Sequence, residues 1–479
     1  MGERGRLPVA AVSVLLLTGC APVTGSPTPE AVPEPVRLSI RDHRESPGVV
    51  ASGGPAAPYN YGPTVLDAAG RYRVWWCSQL PGAGPAGDDV LHAASDALGG
   101  PFTAGGAAAE PVFHGRPGAF DGMHTCDPSV IRVDGRYFLY YTGAAGDHAH
   151  GNAIGVATGE DGRFWRRAAG GAPIATAAAD VRRSNTYGAG QPAALHLDGW
   201  FYLMFTDTTA AGAGWNGAGQ FVLRARDGAF TRDVQELTDE GFRPRGSGPR
   251  ARSVVDAFSA DWAWSATLNA FAIAHQTAKG TTITFWDRNF TRHPYEPVLV
   301  PGRWREGPGL VRTPEGHLPV SGADPCGTAP IDVLRATEDH AAPTDLRWSG
   351  LDVAGFRGCA EPARASAVLD GFGVPSPTRT VEVLRDGAKV RVERRSVAEA
   401  LTRAVLDERV TAVDELPVAA TLAGGAPALR SPGGDVGLLD ERGRVWLVPP
   451  EAARANGSPV AEVSWSDWED YPPGGDLRP

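Results

Sequence analysis

Asp127-Pro128-Ser129-Val130-Ile131-Arg132-Val133-Asp134-Gly135-Arg136-Tyr137-Phe138-Leu139-Tyr140-Tyr141-Thr142-Gly143 reads as two strands around a tight turn. The first strand ends near Val133. Asp134-Gly135 suits a two-residue hairpin turn, which needs positive φ at both central positions. An aromatic strand follows. The same unit recurs along the chain, and a hairpin that cannot bury its own faces must stack on its copies.

Working outward, unit one reads Gly62-Pro63-Thr64-Val65-Leu66, then Gly70 to Trp76. Unit two is the stretch above. Unit three is Gln191-Pro192-Ala193-Ala194-Leu195, then Asp198 to Thr206. Unit four is Asp261-Trp262-Ala263-Trp264-Ser265, then Asn269 to Ala274. Unit five is Gly307-Pro308-Gly309-Leu310-Val311, then Glu315-Gly316-His317-Leu318-Pro319-Val320. The strand entrances fall at 62, 127, 191, 261 and 307, with Pro one residue later in all but unit four. Third apolar strands follow, such as Ile154 to Ala157, Phe221 to Ala225 and Ile283 to Asp287. Four strands per unit is the pattern of a propeller blade. The reading is an all-β, five-bladed β-propeller over 38–362. A β-sandwich is the alternative, but it would not place one motif at one point five times.

The remainder, 363–479, differs. Thr380 to Arg394 reads as a hairpin turning at Asp386-Gly387, and Val436 to Val448 as a second turning near Arg442-Gly443. Ser396 with Glu399 fits a capping box, followed by Val397, Ala400, Leu401, Ala404 and Val405 on one helical face. A small α+β appendage is expected.

Composition narrows the function. The formal net charge of −10 over 479 residues argues against a nucleic-acid partner, which needs a basic face. Arg4 and Arg6 precede an apolar run, Leu7 to Leu17, too short to span a bilayer permanently. It ends Leu17-Thr18-Gly19-Cys20, which resembles a bacterial lipobox. Residues 1–20 then form a signal peptide cleaved before a lipidated Cys20. A plain secretory signal cut elsewhere is the alternative. Residues 21–37, with five prolines, suit an extended tether. The expected place is outside the cytoplasm, held to the outer face of the membrane or the cell surface by lipid. Export makes the other cysteines meaningful: Cys77, Cys126, Cys326 and Cys359 suggest two disulfides. Of three pairings, Cys77–Cys126 and Cys326–Cys359 are favoured because each joins neighbouring repeats. Buried free thiols are the alternative, and without a CxxC pair no zinc site is expected.

Radial symmetry would bring the strand entrances to one mouth, so that distant carboxylates face one ligand. Glycoside hydrolysis needs such a pair: an acid for the leaving oxygen and a base for the water opposite. The order Asp127-Pro128, Gly190-Gln191-Pro192, Asp261, Glu306-Gly307-Pro308 resembles the five-bladed glycoside hydrolases of family 43 and their furanosidase relatives. The likeness spans roughly residues 54–350 and is one of pattern. It implies Asp127 as general base of an inverting reaction and Glu306 as general acid, its pKa raised by burial or a nearby carboxylate. It implies Asp261 as the group that tunes that acid and holds substrate. Asp256 is the rival for that role if unit four carries a bulge. The departures are Gly190-Gln191-Pro192, which lacks the family's usual tripeptide, and the missing Asp-Pro of unit four.

Gln191, His124, Trp215 and Trp304 are the further candidates for substrate contact. Trp262 and Trp264 lie near the same entrances, but most aromatics of these units belong between blades. Asp147-His148-Ala149-His150 lacks a third ligand at a useful spacing and reads as a solvated loop. No nucleotide-binding or nucleophile-elbow motif is present. The expectation is a lipid-anchored glycosidase acting on pentose-containing glycans, β-xylosidase- or arabinofuranosidase-like. It needs no cofactor, and a structural cation in the funnel stays open. A glycan-binding protein without catalysis on the same scaffold, and a propeller used for protein contacts, are the rivals.

Overall fold

The computed structural model describes residues 33–80, 87–246, 248–303, 307–338 and 341–478. Cys20, Trp304 and Glu306 lie outside them, as does nearly all of the unit Met1–Glu34. The architecture is that of the other unit, Pro35–Pro479. No helix among the described residues is long and apolar enough to cross a membrane.

The chain is mostly β. Unit one runs through strands Asn60–Ala68, Arg71–Gln79, Asp88–Ser95 and Glu110–Phe113. Unit two uses His124–Val133, Arg136–Ala144, Ala153–Gly159 and Ala175–Thr176. Unit three runs from Ala189–Leu197 to Gly241–Pro244, and unit four from Ala260–Ser265 to Val298–Pro301. Each is an antiparallel meander. The hairpins turn where the sequence says: Asp134 and Gly135 have φ of 48° and 79°, Asp198 and Gly199 of 52° and 71°. Both central residues are left-handed, which matches the twist of the flanking strands.

Unit five departs from the sequence reading. Its first strand, Gly309–Arg312, pairs with Thr328–Ala336 rather than with 317–320. Leu346–Ala354 follows, and Ser39–Glu45, from the start of the chain, supplies the fourth strand. Gly309–Arg312 also pairs in parallel with Asn60–Ala68, merging units five and one into one eight-stranded sheet. The segment expected as a second strand cannot be one, because Pro319 has no N–H for a ladder and Thr313 to Gly316 form a turn. Instead it crosses the inner strands of other units. Arg132 N–H donates to Pro314 O (2.7 Å), His196 N–H to Glu315 O (2.8 Å) and Leu318 N–H to Trp264 O (2.8 Å). It therefore satisfies backbone groups that three neighbouring strands would leave open.

Burial joins the units in sequence order. Leu66, Trp75 and Val90 pack on Val130, Leu139 and Tyr141, joining units one and two. Ile131, Tyr140 and Ile154 meet Ala194, Phe205 and Phe221. Met204 meets Trp262 and Phe271, Phe285 meets Ile331 and Leu351, and Val311 and Leu346 meet Val65 and Trp76. Every unit thus shares one apolar cluster with the next, and the fifth shares one with the first. Cys77 is bonded to Cys126, and Cys326 to Cys359. These are the pairs the sequence reading favours. Cys326–Cys359 sits in a cluster that joins Ala266 and Val320 to Leu369 and Phe372, where the C-terminal part meets units four and five.

The C-terminal part has two small sheets and short helices around Val383, Val390, Leu401, Leu438 and Trp446. Both expected hairpins are present. The expected capping box is not. The helix Arg395–Leu401 starts with Arg394 as an uncapped N-cap, and Glu399 pairs with Arg395 at 3.0 Å. Ser396 lies inside the first turn, so its hydroxyl is not at the N-cap position where it could cap. Ala404 leaves the helix and accepts a hydrogen bond from Gly373 N–H.

Three buried histidines give the fold a pH signature. Burial lowers His92, His124 and His275 to about 4. The unfolded chain takes up protons on them below about pH 6.5, whereas the folded chain waits until about pH 4. Stability therefore falls as pH drops through that window. Asp89, lifted to about 6 by burial, binds its proton earlier in the folded state and works the other way. His196 and His317 are lowered by burial as well, and Asp261 is raised, so histidines outnumber the opposing carboxyls and the net is a loss of stability as pH falls. Denaturation midpoints measured from pH 7.5 to 4.5 should fall. A flat profile would contradict the neutral, buried state of these imidazoles.

Candidate functional site

The five strand entrances line one cavity. Gly62, Pro63, Asp127, Pro128, Gln191, Pro192, Ser259, Asp261, Gly307 and Pro308 surround it. It encloses about 30 Å³, room for about one water.

The local sequence explains the shape. Gly62, Asp127, Gln191 and Gly307 all have left-handed φ, at 55°, 48°, 51° and 58°. Each is followed by proline. Strand pairing skips these two residues between Tyr61 and Thr64, between Cys126 and Ser129, and between Gly190 and Ala193. Proline cannot donate to a ladder, so a bulge must open there, and a bulge re-aims the preceding side chain. For Asp127 and Gln191 this conformation costs about 1–3 kcal/mol each, the kind of strain found at functional sites. Unit four has no proline. Asp261 stays in regular register opposite Ala274, without a bulge.

The carboxylates therefore differ. Asp127 lines the cavity, and Tyr187 Oη donates to its Oδ2 at 3.4 Å. Tyr187 is itself packed edge-on against Phe258. Asp261 is buried. Its Oδ2 accepts Leu310 N–H at 2.8 Å, and its Oδ1 pairs with an Arg312 nitrogen at 3.1 Å. Burial raises its pKa, while Arg312 and the N–H groups of Leu310 and Trp262 pull it back down.

Arg312 is the residue that sequence reasoning misses. It is fully buried, and it donates to Ala194 O (3.0 Å), Trp262 O (3.1 Å) and Thr64 Oγ1 (3.1 Å). One guanidinium on unit five thus ties units one, three and four beneath the cavity. The only available signal was an arginine ending the short apolar run Gly309-Leu310-Val311.

Other candidates fall elsewhere. Gln191 lines the cavity; its N–H donates to Thr142 Oγ1 at 2.7 Å, and its side-chain Oε1 is buried with no partner among the described residues. Asp256 is exposed and away from the cavity wall, because unit four has no bulge to bring it in. His124 is buried 3.6 Å from Asp88 Oδ2 and does not line the cavity. Tyr61 Oη donates to that same oxygen at 2.6 Å. Trp262 and Trp264 are core residues. Trp215 is 93% exposed and outside the cavity wall. His150 and Asp147 bond to each other in an exposed loop.

The entrances touch closely enough to forbid a side chain at one of them. A Cβ on Gly307 would lie 2.6 Å from Gly62 Cα and 2.9 Å from Gly62 N. Gly307→Ala must therefore displace unit one as well as strain its own backbone. We expect a loss of about 2–4 kcal/mol, read as a shift in denaturation midpoint. Gly135→Ala is the control: it is left-handed at +79° with nothing within 4 Å, so it carries the backbone term alone. Equal losses in the two variants would show that the entrances are not in contact.

No family model matches the chain, and no curated protein matches it. Solved structures do resemble it, glycoside hydrolases among them. Zg3597, a family 117 glycoside hydrolase of the marine bacterium Zobellia galactanivorans, is 11% identical with a TM-score of 0.41, over 67% of this chain and 91% of that one. The α-L-arabinofuranosidase PaAbf62A of Podospora anserina, in complex with cellotriose, is 10% identical with a TM-score of 0.39, over 65% and 97%. A GH62 hydrolase in complex with xylotriose is 11% identical with a TM-score of 0.40, over 64% and 96%.

Proposed function

We propose that this chain is an exported glycoside hydrolase built as a five-bladed β-propeller, with Asp127 as general base and Glu306 as general acid. The observation that carries the reading is the shared cavity: entrances 245 residues apart in sequence, from 62 to 307, surround a space for one water with Asp127 in its wall. The cyclic sharing of apolar clusters supports five blades around that axis. Glu306 immediately precedes Gly307, which lines the cavity. A base with one water at the axis and an acid from another blade is the equipment of an inverting hydrolase, whose carboxyls stand roughly 6.5–9.5 Å apart. The pentose preference, β-xylosidase- or arabinofuranosidase-like, rests on the sequence likeness to family 43. The lipid anchor at Cys20 rests on the lipobox-like Leu17-Thr18-Gly19-Cys20.

Asp261 refines the role expected of it. Both its oxygens are engaged by Arg312 and Leu310, so it sets the field at the cavity floor rather than moving protons. The same observation favours a second reading, a glycan-binding protein without turnover, in which Asp127 only accepts sugar hydroxyls. Assay of the wild-type chain on aryl arabinosides, xylosides, galactosides and fructosides separates the two. Release of one sugar with inverted anomeric configuration supports the hydrolase. Binding without release across the panel supports the second reading, and neither binding nor release sinks both.

A further inference from the structure

We propose that Trp215 is a rigid stacking platform for a second unit of a glycan chain, so that the substrate class is an oligo- or polysaccharide rather than a single glycoside. This rests on the glycan reading above. Trp215 is 93% exposed, and its loop is firmly built. Arg183 donates to the carbonyls of Gly214 (2.5 Å), Trp215 (3.3 Å) and Ala213 (2.8 Å). Asn185 Nδ2 donates to Asn216 O at 3.1 Å. Within the loop, Gly214 N–H donates to Ala218 O (2.6 Å) and Gly217 N–H to Gly214 O (2.9 Å). The ring is thus presented with its backbone already ordered, which lowers the entropy lost on binding.

The segment that holds the platform also holds the cavity's carboxylate. Arg183 and Asn185 grip the Trp215 loop, and Tyr187, two residues on, donates to Asp127 Oδ2. The platform's loop follows Asp207, which pairs with Ala189 at the entrance end of unit three, so the platform stands on the mouth side of that unit. Asn216 beside it is exposed, as are Arg182, Ser184 and Thr186 of the gripping segment, so hydroxyl and amide groups and one guanidinium surround the platform's base. A lone aromatic face with such a rim fits a sugar, with its C–H face on the ring and its hydroxyls on the amides. A protein partner would want a contiguous apolar patch.

The test compares wild type with Trp215→Ala and Trp215→Phe on an aryl monoglycoside and on matched tetrasaccharides. We expect Trp215→Ala to lower the ratio of kcat/KM, tetrasaccharide over monoglycoside, by about threefold to tenfold. Trp215→Phe should retain most of that ratio. A ratio unchanged within about twofold overturns the platform and leaves the hydrolase standing. Affinity electrophoresis in soluble arabinoxylan, arabinan and levan gives a readout independent of turnover. Wild-type retardation lost in Trp215→Ala upholds the platform even where no sugar is released. Retardation equal in both proteins, none in wild type, or a dimer that Trp215→Ala converts to monomer, overturns it.

Discussion

Asp127→Asn should reduce sugar release by about 10²–10⁴-fold while leaving glycan affinity and stability close to wild type. The substitution is nearly isosteric. Asn tolerates left-handed φ as well as Asp does, so the bulge at 48° is kept. Its side-chain oxygen can still accept from Tyr187 Oη. What it loses is charge and basicity, the properties a general base needs to activate water. Wild-type release by Asp127→Asn would end the assignment of Asp127. Loss of release together with a lowered denaturation midpoint would point to a role in holding the bulge instead. Glu306→Gln on a substrate with a poor leaving group should show a comparable loss. On an activated aryl glycoside it should lose less, because such a leaving group needs little protonation. A loss independent of leaving group would argue against Glu306 as the acid.

Much of this site was legible because it is written in backbone chemistry. A left-handed residue followed by proline marks a bulge whatever surrounds it, and four of the five entrances carry that signature. The Asp-Gly turns likewise fixed the hairpins of units two and three. What stayed hidden depends on partners far away in sequence. Nothing local tells that Ser39–Glu45 pairs with Leu346–Ala354, because its register is set by a strand some 300 residues later. The 313–318 segment falls where the repeat calls for a second strand, yet its hydrogen bonds go to three other units. Asp261 looked like an open carboxylate because its alignment with Asp127 was correct in register. The missing proline, which leaves it without a bulge, was the clue to its inward position. Arg312 was unreadable for the same reason that buried arginines usually are. The residue type says surface, and only a ring of acceptors from several units makes the interior tolerable.

That ring of acceptors sets the second large effect. Arg312→Met keeps much of the side chain's length and removes its charge and donors. It leaves Asp261 buried without its cation and three oxygens, on Ala194, Trp262 and Thr64, without their donor. Breaking one side of a buried pair costs about 3–5 kcal/mol. The denaturation midpoint should fall accordingly, and the four units that meet at the cavity floor should loosen together. The double variant Arg312→Met with Asp261→Asn removes both charges and should recover part of the loss. A double-mutant cycle with a coupling above about 1 kcal/mol would identify the ion pair as the source. The pH response gives an independent sign. Burial already raises Asp261, and without Arg312 nothing but backbone N–H groups opposes it. A carboxyl raised in the folded state binds its proton there first, so its destabilisation is relieved as pH falls and grows as pH rises. Relative to wild type, Arg312→Met should therefore regain stability between neutral pH and pH 5, against the histidine-driven decline of the parent. A deficit constant across that range would mean that Arg312 acts through its hydrogen bonds to the three neighbouring units rather than through the charge of Asp261.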